Sequence, residues 1–221
     1  MGAINQFDEI NGFGKHKPIA ISLLQKTICA LGDIDHFLIS GTLLGYERHN
    51  DFIPWDDDID LLVKEDISSN ISELIDKNKD LVFLSKYPSM LRICFKEQGI
   101  EINGDSQNWK NNMLSEGIYK WPFVDLFTYK SEEDHISFFK KNWPKDEFFP
   151  AKKVSFLGME VSVPRNPSYF LERNYGKGYM TTLKSSCFSH KSEMIKNSKT
   201  ITMDQYNAGK SITHPPKRVG L

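Results

Sequence analysis

Cysteine is scarce. Cys29, Cys94 and Cys187 are the only three among 221 residues, odd in number and far apart. Zinc-ligand spacing is absent, and a disulfide framework is not expected; Cys29 and Cys94 lie in apolar runs and read as core residues. No apolar run approaches the roughly 18–20 residues that a membrane-spanning helix needs. The polar N-terminus lacks the hydrophobic stretch of a secretory signal. These absences predict a soluble, reduced, cytoplasmic chain. Net charge is nearly absent as well, at −1, which argues against a generic polyanion binder, so no nucleic-acid partner is expected. With no internal repeat, low-complexity stretch or linker, the chain reads as one domain with short appendages.

The pattern that is present divides into a loose polar lead-in (1–17), a catalytic-sized domain (18–183) and a basic C-terminal segment (184–221). The last carries seven Lys/Arg against two acids, a local +5. It could meet an anionic membrane surface, although a solvated tail is the simpler reading. Apolar spacing predicts a helix from Pro18 to Leu31, a strand at 36–39, and a turn at Ser40-Gly41-Thr42 opening a short helix to about His49. A helix from Asp66 to about Lys77 follows an acidic strand that ends near Lys64. Strands are expected at 81–85, 91–96, 100–102 and 123–127, and a loop at 103–112. A helix is expected over 131–141 with Ser131 as cap, then a hairpin turning at Leu157-Gly158, then a helix from Pro167 to Tyr175 stopped at Gly176. The class is α+β.

The most informative run is Trp55-Asp56-Asp57-Asp58-Ile59-Asp60. If the strand starts early enough, Asp56, Asp58 and Asp60 share one face. Same-face carboxylates about 5 Å apart repel by about 3 kcal/mol at an effective dielectric near 20. The apolar frame of Phe52, Ile53, Pro54, Trp55, Leu61, Leu62 and Val63 makes a solvated acidic turn a poor explanation. A hard divalent cation with a phosphorylated substrate is the better one. An EF-hand is excluded, because Gly and Glu are missing at its sixth and twelfth positions.

Other residues can join this site. Asp125, inside Val124-Asp125-Leu126-Phe127, needs either the same metal or a salt bridge to Arg92. Arg92, inside Leu91-Arg92-Ile93, needs an anion, which Asp125 or a substrate phosphate could supply. The Ser40-Gly41-Thr42 corner offers backbone N–H groups to phosphate oxygens. Arg48 is a second phosphate ligand in prospect. His49 is a proton acceptor or a surface residue. Tyr175, with Gly176-Lys177-Gly178-Tyr179, could stack on a base or sugar, or simply pack. His190 and His214 have no companions at metal spacing and receive no role.

Gly41-Thr42-Leu43-Leu44-Gly45, Arg48-His49 and the run from Phe52 to Asp60 together resemble the signature of the LicD/fukutin family, which groups bacterial phosphocholine transferases with eukaryotic sugar-phosphate transferases. Trp121-Pro122-Phe123-Val124-Asp125-Leu126-Phe127, Gly158 before Val161-Ser162-Val163-Pro164, and Tyr169 to Gly176 fit the same resemblance. It spans about Pro18 to Thr182. It departs at Asn50-Asp51, where the family often has Lys-Gly, and at Lys177-Gly178-Tyr179-Met180, where the family usually leads to Trp and Pro.

The resemblance implies a nucleotidyltransferase (polymerase β-like) fold, a small mixed sheet flanked by helices. It implies that Asp58 and Asp60, with Asp125 as third acid and Asp56 auxiliary, hold Mg²⁺ or Mn²⁺. Asp56 or Asp125 would take the acceptor proton, and Ser40, Gly41, Thr42, Arg48, Arg92 and Tyr175 would contact substrate. The implied reaction moves phosphocholine or a polyol or sugar phosphate from a nucleotide-activated donor, often CDP-linked, to a glycan or glycolipid hydroxyl. Two rivals use the same acids or none. One is a nucleotidyltransferase adding NMP to a small molecule or RNA; the other is a silent binding protein.

Overall fold

Pro18 in the first turn and Gly32 just past the last bound helix α1 (Lys17–Leu31), because proline tolerates the N-terminal turn and glycine the C-cap. Its inner face buries Ala20, Leu23, Leu24, Thr27 and Leu31. Cys29 falls off that face and is exposed, contrary to the core position its neighbours suggest, whereas Cys94 is buried as expected. The computed structural model describes residues 4–65, 77–87, 90–103, 118–192 and 194–213. The expected helix after Asp66, the loop at 103–112 and His214 lie wholly or mostly outside them.

Strand β1 (His36–Leu38), helix α2 (Ser40–His49) and strand β2 (Ile59–Lys64) form the unit that carries the acidic run. Strands β3 (Leu81–Tyr87) and β4 (Met90–Phe95) pair as a hairpin, and β5 (Ile100–Asn103) pairs with β6 (Ile118–Trp121). Strand β7 (Phe123–Ser131) lies at the centre of a seven-stranded sheet ordered β1-β2-β7-β4-β3, which β8 (His135–Phe138) and β9 (Lys141–Pro144) extend from the far end of β7. β2 and β7 run parallel and β4 and β7 antiparallel, so the sheet is mixed and the class is α+β. These registers put Asp60 opposite Asp125, and Asp125 opposite Arg92.

Residues 131–141 are not the helix that their capping pattern suggests. Glu132, Glu133 and Asp134 make the turn before β8, and Ile136 and Phe138 are buried while His135 and Ser137 are not. In a helix two residues spaced by two point about 200° apart, but on a strand they share a face. Burial of that pair, with Trp143 of β9 stacked on Phe138 at 5.2 Å, overrides the helix-start signal. The short helix α3 (Lys145–Phe148) follows, then the expected hairpin of β10 (Lys152–Phe156) and β11 (Met159–Val163), then helix α4 (Pro167–Tyr175).

Both appendages pack. The lead-in, expected loose, forms three 3-10 turns whose Phe7 rests on Trp55 at 4.8 Å and whose Phe13 rests on Phe52 at 4.8 Å. A Cβ on Gly12 would stand 2.3 Å from the Pro54 carbonyl oxygen, so only glycine permits this approach. The basic segment, expected as a solvated tail, is structured over its described part. β12 (Thr182–Lys184) pairs with β15 (Thr200–Thr202), β13 (Phe188–Ser189) pairs with β14 (Met194–Ile195), and helix α5 (Met203–Thr213) places Tyr206 5.2 Å from Trp55. Aromatic packing on Trp55 from both ends of the chain fixes the loop that leads to the acids. Among the described residues no helix is long and apolar enough to cross a membrane.

Candidate active site

β2 begins only at Ile59, so Asp56 and Asp58 belong to the loop before it rather than to the strand. They nevertheless face the same way as Asp60. All three line one cavity of about 550 Å³ between the start of α2, the end of α4 and the 182–187 segment. Asp57, the odd member, is buried at 1% exposure and lies outside the lining. The Trp121 indole N–H donates to its carbonyl at 2.6 Å. Its carboxylate accepts from the backbone N–H of Lys191 at 3.0 Å and the Ser189 hydroxyl at 3.3 Å.

The start of α2 is shaped around these acids. Ser40, at the corner, has a φ of +48°, a left-handed conformation uncommon outside glycine, and it borders the cavity. A Cβ on Gly41 would lie 2.3 Å from Asp56 Oδ2, so glycine is what admits that carboxylate. The Gly41 backbone N–H donates to the Asp60 carboxylate, as the positive end of a helix favours. Thr42 is buried, and its hydroxyl accepts from the Asp60 N–H at 2.8 Å. Thr42 therefore sets the start of β2 and does not line the cavity.

Burial, with the charge of Asp58 and Asp57 and a hydrogen bond to Asp58, pushes the Asp56 carboxyl well above the usual range. Burial, then the charges of Asp58, Asp125 and Asp56, does the same to Asp60 against the Gly41 hydrogen bond. Burial would also raise Asp58, but the hydrogen bond and charge of His190, together with Arg92, outweigh it and hold that carboxyl below its ordinary value. His190 Nε2 lies 3.2 Å from Asp58 Oδ2. Burial lowers His190, yet that hydrogen bond and the charges of Asp58 and Asp57 leave the imidazole above its ordinary value. Nothing in the chain's pattern marks His190: it is a single histidine 132 positions from its partner, with no companion at a recognisable spacing.

Asp125 and Arg92 sit behind the cavity. Arg92 Nε and Nη2 donate to Asp125 Oδ1 and Oδ2 at 2.8 and 2.9 Å, a bidentate pair whose side chains are 2% and 5% exposed. The Arg92 guanidinium also lies 3.4 Å from the Phe123 ring centroid. Each residue had two partners open to it, and each has found the other. Arg48 does reach the cavity. It donates to the Tyr179 carbonyl at 2.9 Å, and burial lowers its guanidinium to about 10, so it stays cationic at neutral pH. Tyr175 stands at the rim; burial and then Asp60, Asp56 and Asp58 raise its hydroxyl. His49 packs edge-on against Trp55 at 5.6 Å, away from the lining.

An all-oxygen set in which the charge of Asp58 raises the carboxyls of both Asp56 and Asp60 suits a hard divalent cation in its chemistry. In the side-chain positions observed, no three His, Cys, Asp or Glu groups among the described residues converge as a metal site. Asp56 is hydrogen-bonded to Asp58, and Asp125 to Arg92.

The model of the LicD/FKTN/FKRP nucleotidyltransferase domain matches residues 33–166. The uncharacterized protein RP689 of Rickettsia prowazekii is 30% identical over 147 residues, 65% of this chain and 48% of that protein. The human ribitol-5-phosphate transferase FKTN is 26% identical over 188 residues, 80% of this chain and 36% of that protein. The mouse ribitol 5-phosphate transferase FKRP is 29% identical over 151 residues, 66% and 28% respectively. The chain thus spans less than half the length of each of these relatives. Among solved structures, the antibiotic-resistance factor ANT(2'')-Ia aligns with a TM-score of 0.42 at 8% identity, covering 74% of this chain and 80% of that one, a likeness too distant to carry weight. The family match covers more than half of the sequence, including every acid of the cavity, and the chain belongs to the LicD/FKTN/FKRP family.

Proposed function

We propose that this chain is a metal-dependent transferase that moves a phospho-substituent from a nucleotide diphosphate donor to a glycan hydroxyl. A polyol phosphate is the foremost candidate, since FKTN and FKRP are named ribitol-5-phosphate transferases. A CDP-linked donor and a nucleotidyltransferase-type fold belong to the same reading. The observation that carries it is the convergence of Asp56, Asp58 and Asp60 on one cavity beside the start of α2, with Arg48 on its wall.

Asp58 and Asp60 would hold Mg²⁺ or Mn²⁺. Asp125 would join them through lone pairs not already bonded to Arg92, and Asp56 would remain auxiliary. When bound, such an ion neutralises the donor pyrophosphate and the charge on its leaving group. The protein's own part is positioning. Gly41 and Ser40 would border the phosphate end, and Arg48 supplies a fixed cation for the phosphoanhydride oxygen that leaves on the nucleoside monophosphate. Tyr175 at the rim orients a sugar or base. Burial and the neighbouring acids raise the proton affinity of Asp56, so its ionised form is a stronger base for the proton of an attacking hydroxyl than an ordinary carboxylate.

The test is a thermal-shift panel of CDP-ribitol, CDP-glycerol, CDP-choline and sugar nucleotides, with and without Mg²⁺. A ligand at about 100 times its Kd stabilises by about 2.7 kcal/mol, and the expected result is a Mg²⁺-dependent shift with a CDP-linked donor. Asp58→Asn and Asp60→Asn should each abolish transfer while the fold is kept. Near-normal turnover in both would remove the acid assignment. Mass spectrometry of the acceptor separates gain of a phospho-alcohol from gain of a nucleotide, which would instead mark a nucleotidyltransferase.

A further inference from the structure

Three consecutive residues far outside the matched family region grip two consecutive acids of the site. Ser189 and Lys191 hold the carboxylate of Asp57 through the hydroxyl at 3.3 Å and the backbone N–H at 3.0 Å. His190, between them, points the other way and meets Asp58 Oδ2 at 3.2 Å. Ser189 ends β13, and His190 and Lys191 lie in the turn that follows it, so the three residues can reach two acids from one short stretch of chain. The imidazole is itself fixed, edge-on to Phe123 at 5.4 Å and to Phe188 at 4.9 Å. A fourth tie, from the Trp55 indole N–H to the Lys184 carbonyl at 3.1 Å, closes the other end of the segment. Between the ties, Ser185, Ser186 and Cys187 form part of the cavity wall.

We infer that residues 184–191 are an integral part of the active site, with Asp57 as the latch that docks them and His190 as a positioning residue for Asp58. Asp58 lies in a loop, not on the strand, so nothing in the sheet ladder fixes its side-chain angle. Without a partner its carboxylate would be free to turn toward Asp56, to which it is already hydrogen-bonded. His190 opposes that by holding the other side. The same contact makes the site's geometry depend on the C-terminal segment, although none of the cavity's acids resides there. The wall that the segment builds is serine-rich and small, and this is the face that a hydroxyl-bearing substrate would meet.

The inference rests on the transferase reading for its catalytic consequence but not for its structural one, and two measurements separate them. The first is hydrogen exchange of backbone amides in 55–60 and 184–191 on the full chain without ligand. His190→Ala and Asp57→Ala should speed exchange in both segments by about tenfold or more, because the first removes the contact to Asp58 and the second removes those of Asp57 with Ser189 and Lys191. His190→Gln, whose amide N–H can reach the place of Nε2, should restore protection. Unchanged exchange at 55–60 in His190→Ala overturns the positioning role. The second is steady-state transfer from CDP-ribitol with Mg²⁺. His190→Ala should lower kcat about 10–100-fold with KM little changed, His190→Gln should recover most of it, and Val161→Ala, a buried control on β11, should leave kcat near wild type. Equal loss in His190→Gln and His190→Ala would reduce His190 to a packing residue and refute the inference. Should the wild-type chain show no transfer from any donor of the panel, the transferase assignment fails, and the exchange data still decide whether the clamp exists.

Discussion

Arg92→Met should destabilise the protein more than Asp125→Asn, and the two together should cost far less than their sum. The pair is bidentate at 2.8 and 2.9 Å with almost no exposure, and it spans adjacent antiparallel strands in direct register. Two unit charges about 4 Å apart attract by about 4 kcal/mol at an effective dielectric of 20. Removing one member of such a pair typically costs about 3–5 kcal/mol, because the other is stranded in the interior. The two strandings differ here. Without Arg92, Asp125 is left beside Asp60, its register partner on β2, and two buried carboxylates face each other. Without the Asp125 charge, the guanidinium keeps the Phe123 ring at 3.4 Å and the Tyr119 ring at 5.0 Å, a cation–π contribution of about 1–2 kcal/mol.

Arg92→Met is therefore expected near 4–5 kcal/mol and Asp125→Asn near 3 kcal/mol by analogy with other buried pairs. The double variant should fall well short of their sum, leaving a coupling of about 2–3 kcal/mol. Urea unfolding of the four proteins, followed by circular dichroism, closes the cycle, provided the m-values agree. A coupling below about 0.5 kcal/mol, the range in which independent sites add, would refute the assignment of Arg92 and Asp125 as a coupled ion pair. The reverse order of the singles would refute the role given to Asp60 and the rings.

Other outcomes follow from the same geometry. Gly41→Ala places a methyl group 2.3 Å from Asp56 Oδ2, which must swing away. Helix propensity favours alanine by up to about 1 kcal/mol, so Tm should hold or rise slightly while transfer falls at least about tenfold; a clear loss of Tm with activity intact would contradict the proposed crowding. His36 is buried on β1, its Nδ1–H donating to the Ile34 carbonyl at 2.9 Å, and burial lowers its pKa from about 6.5. The unfolded chain then binds a proton that the folded one resists, so the group takes nothing from stability above pH about 6.5. Its penalty grows as pH falls through that value and levels off below the folded pKa. Relative to His36→Asn, wild type should lose stability on acidification with a slope no steeper than about 1.4 kcal/mol per pH unit, the limit for one proton; a pH-independent difference between the two would show that the imidazole does not titrate this way.

The acids were legible in the sequence because their neighbours are apolar. Trp55, Ile59 and Leu61 commit the segment to the interior, and three carboxylates threaded through it then need a common purpose. Strand geometry accounts for the facing of Asp60 alone; Asp56 and Asp58 reach the cavity from a loop pinned by aromatic residues from both ends of the chain. Those long-range contacts, Phe7 and Tyr206 on Trp55, leave no periodic trace, and so the lead-in looked loose and the basic segment solvated. The 131–141 stretch failed differently. Its serine and three acids imitate a helix start, and only Ile136 and Phe138, two apart, report the strand.

Charge balance explains why the residues missed and the residues found belong together. Asp57 and Asp58 each carry a carboxylate into a poorly solvated loop, and the acid-rich stretch from 56 to 60 contains no basic residue. Its compensation must come from elsewhere. His190 supplies it for Asp58, the Ser189 and Lys191 donors supply it for Asp57, and the Gly41 N–H supplies part of it for Asp60. Asp56 has a hydrogen bond shared with Asp58, one from the Asp57 backbone N–H, and the distant charge of Arg48. Burial and the charges of Asp58 and Asp57 outweigh these donors, and Asp56 lies against the helix start, where a substrate proton or a cation would relieve it. An Asp56→Asn variant should accordingly be at least as stable as wild type by urea unfolding while transfer declines, and a marked loss of stability would mean that Asp56 is held by a partner this arrangement does not contain.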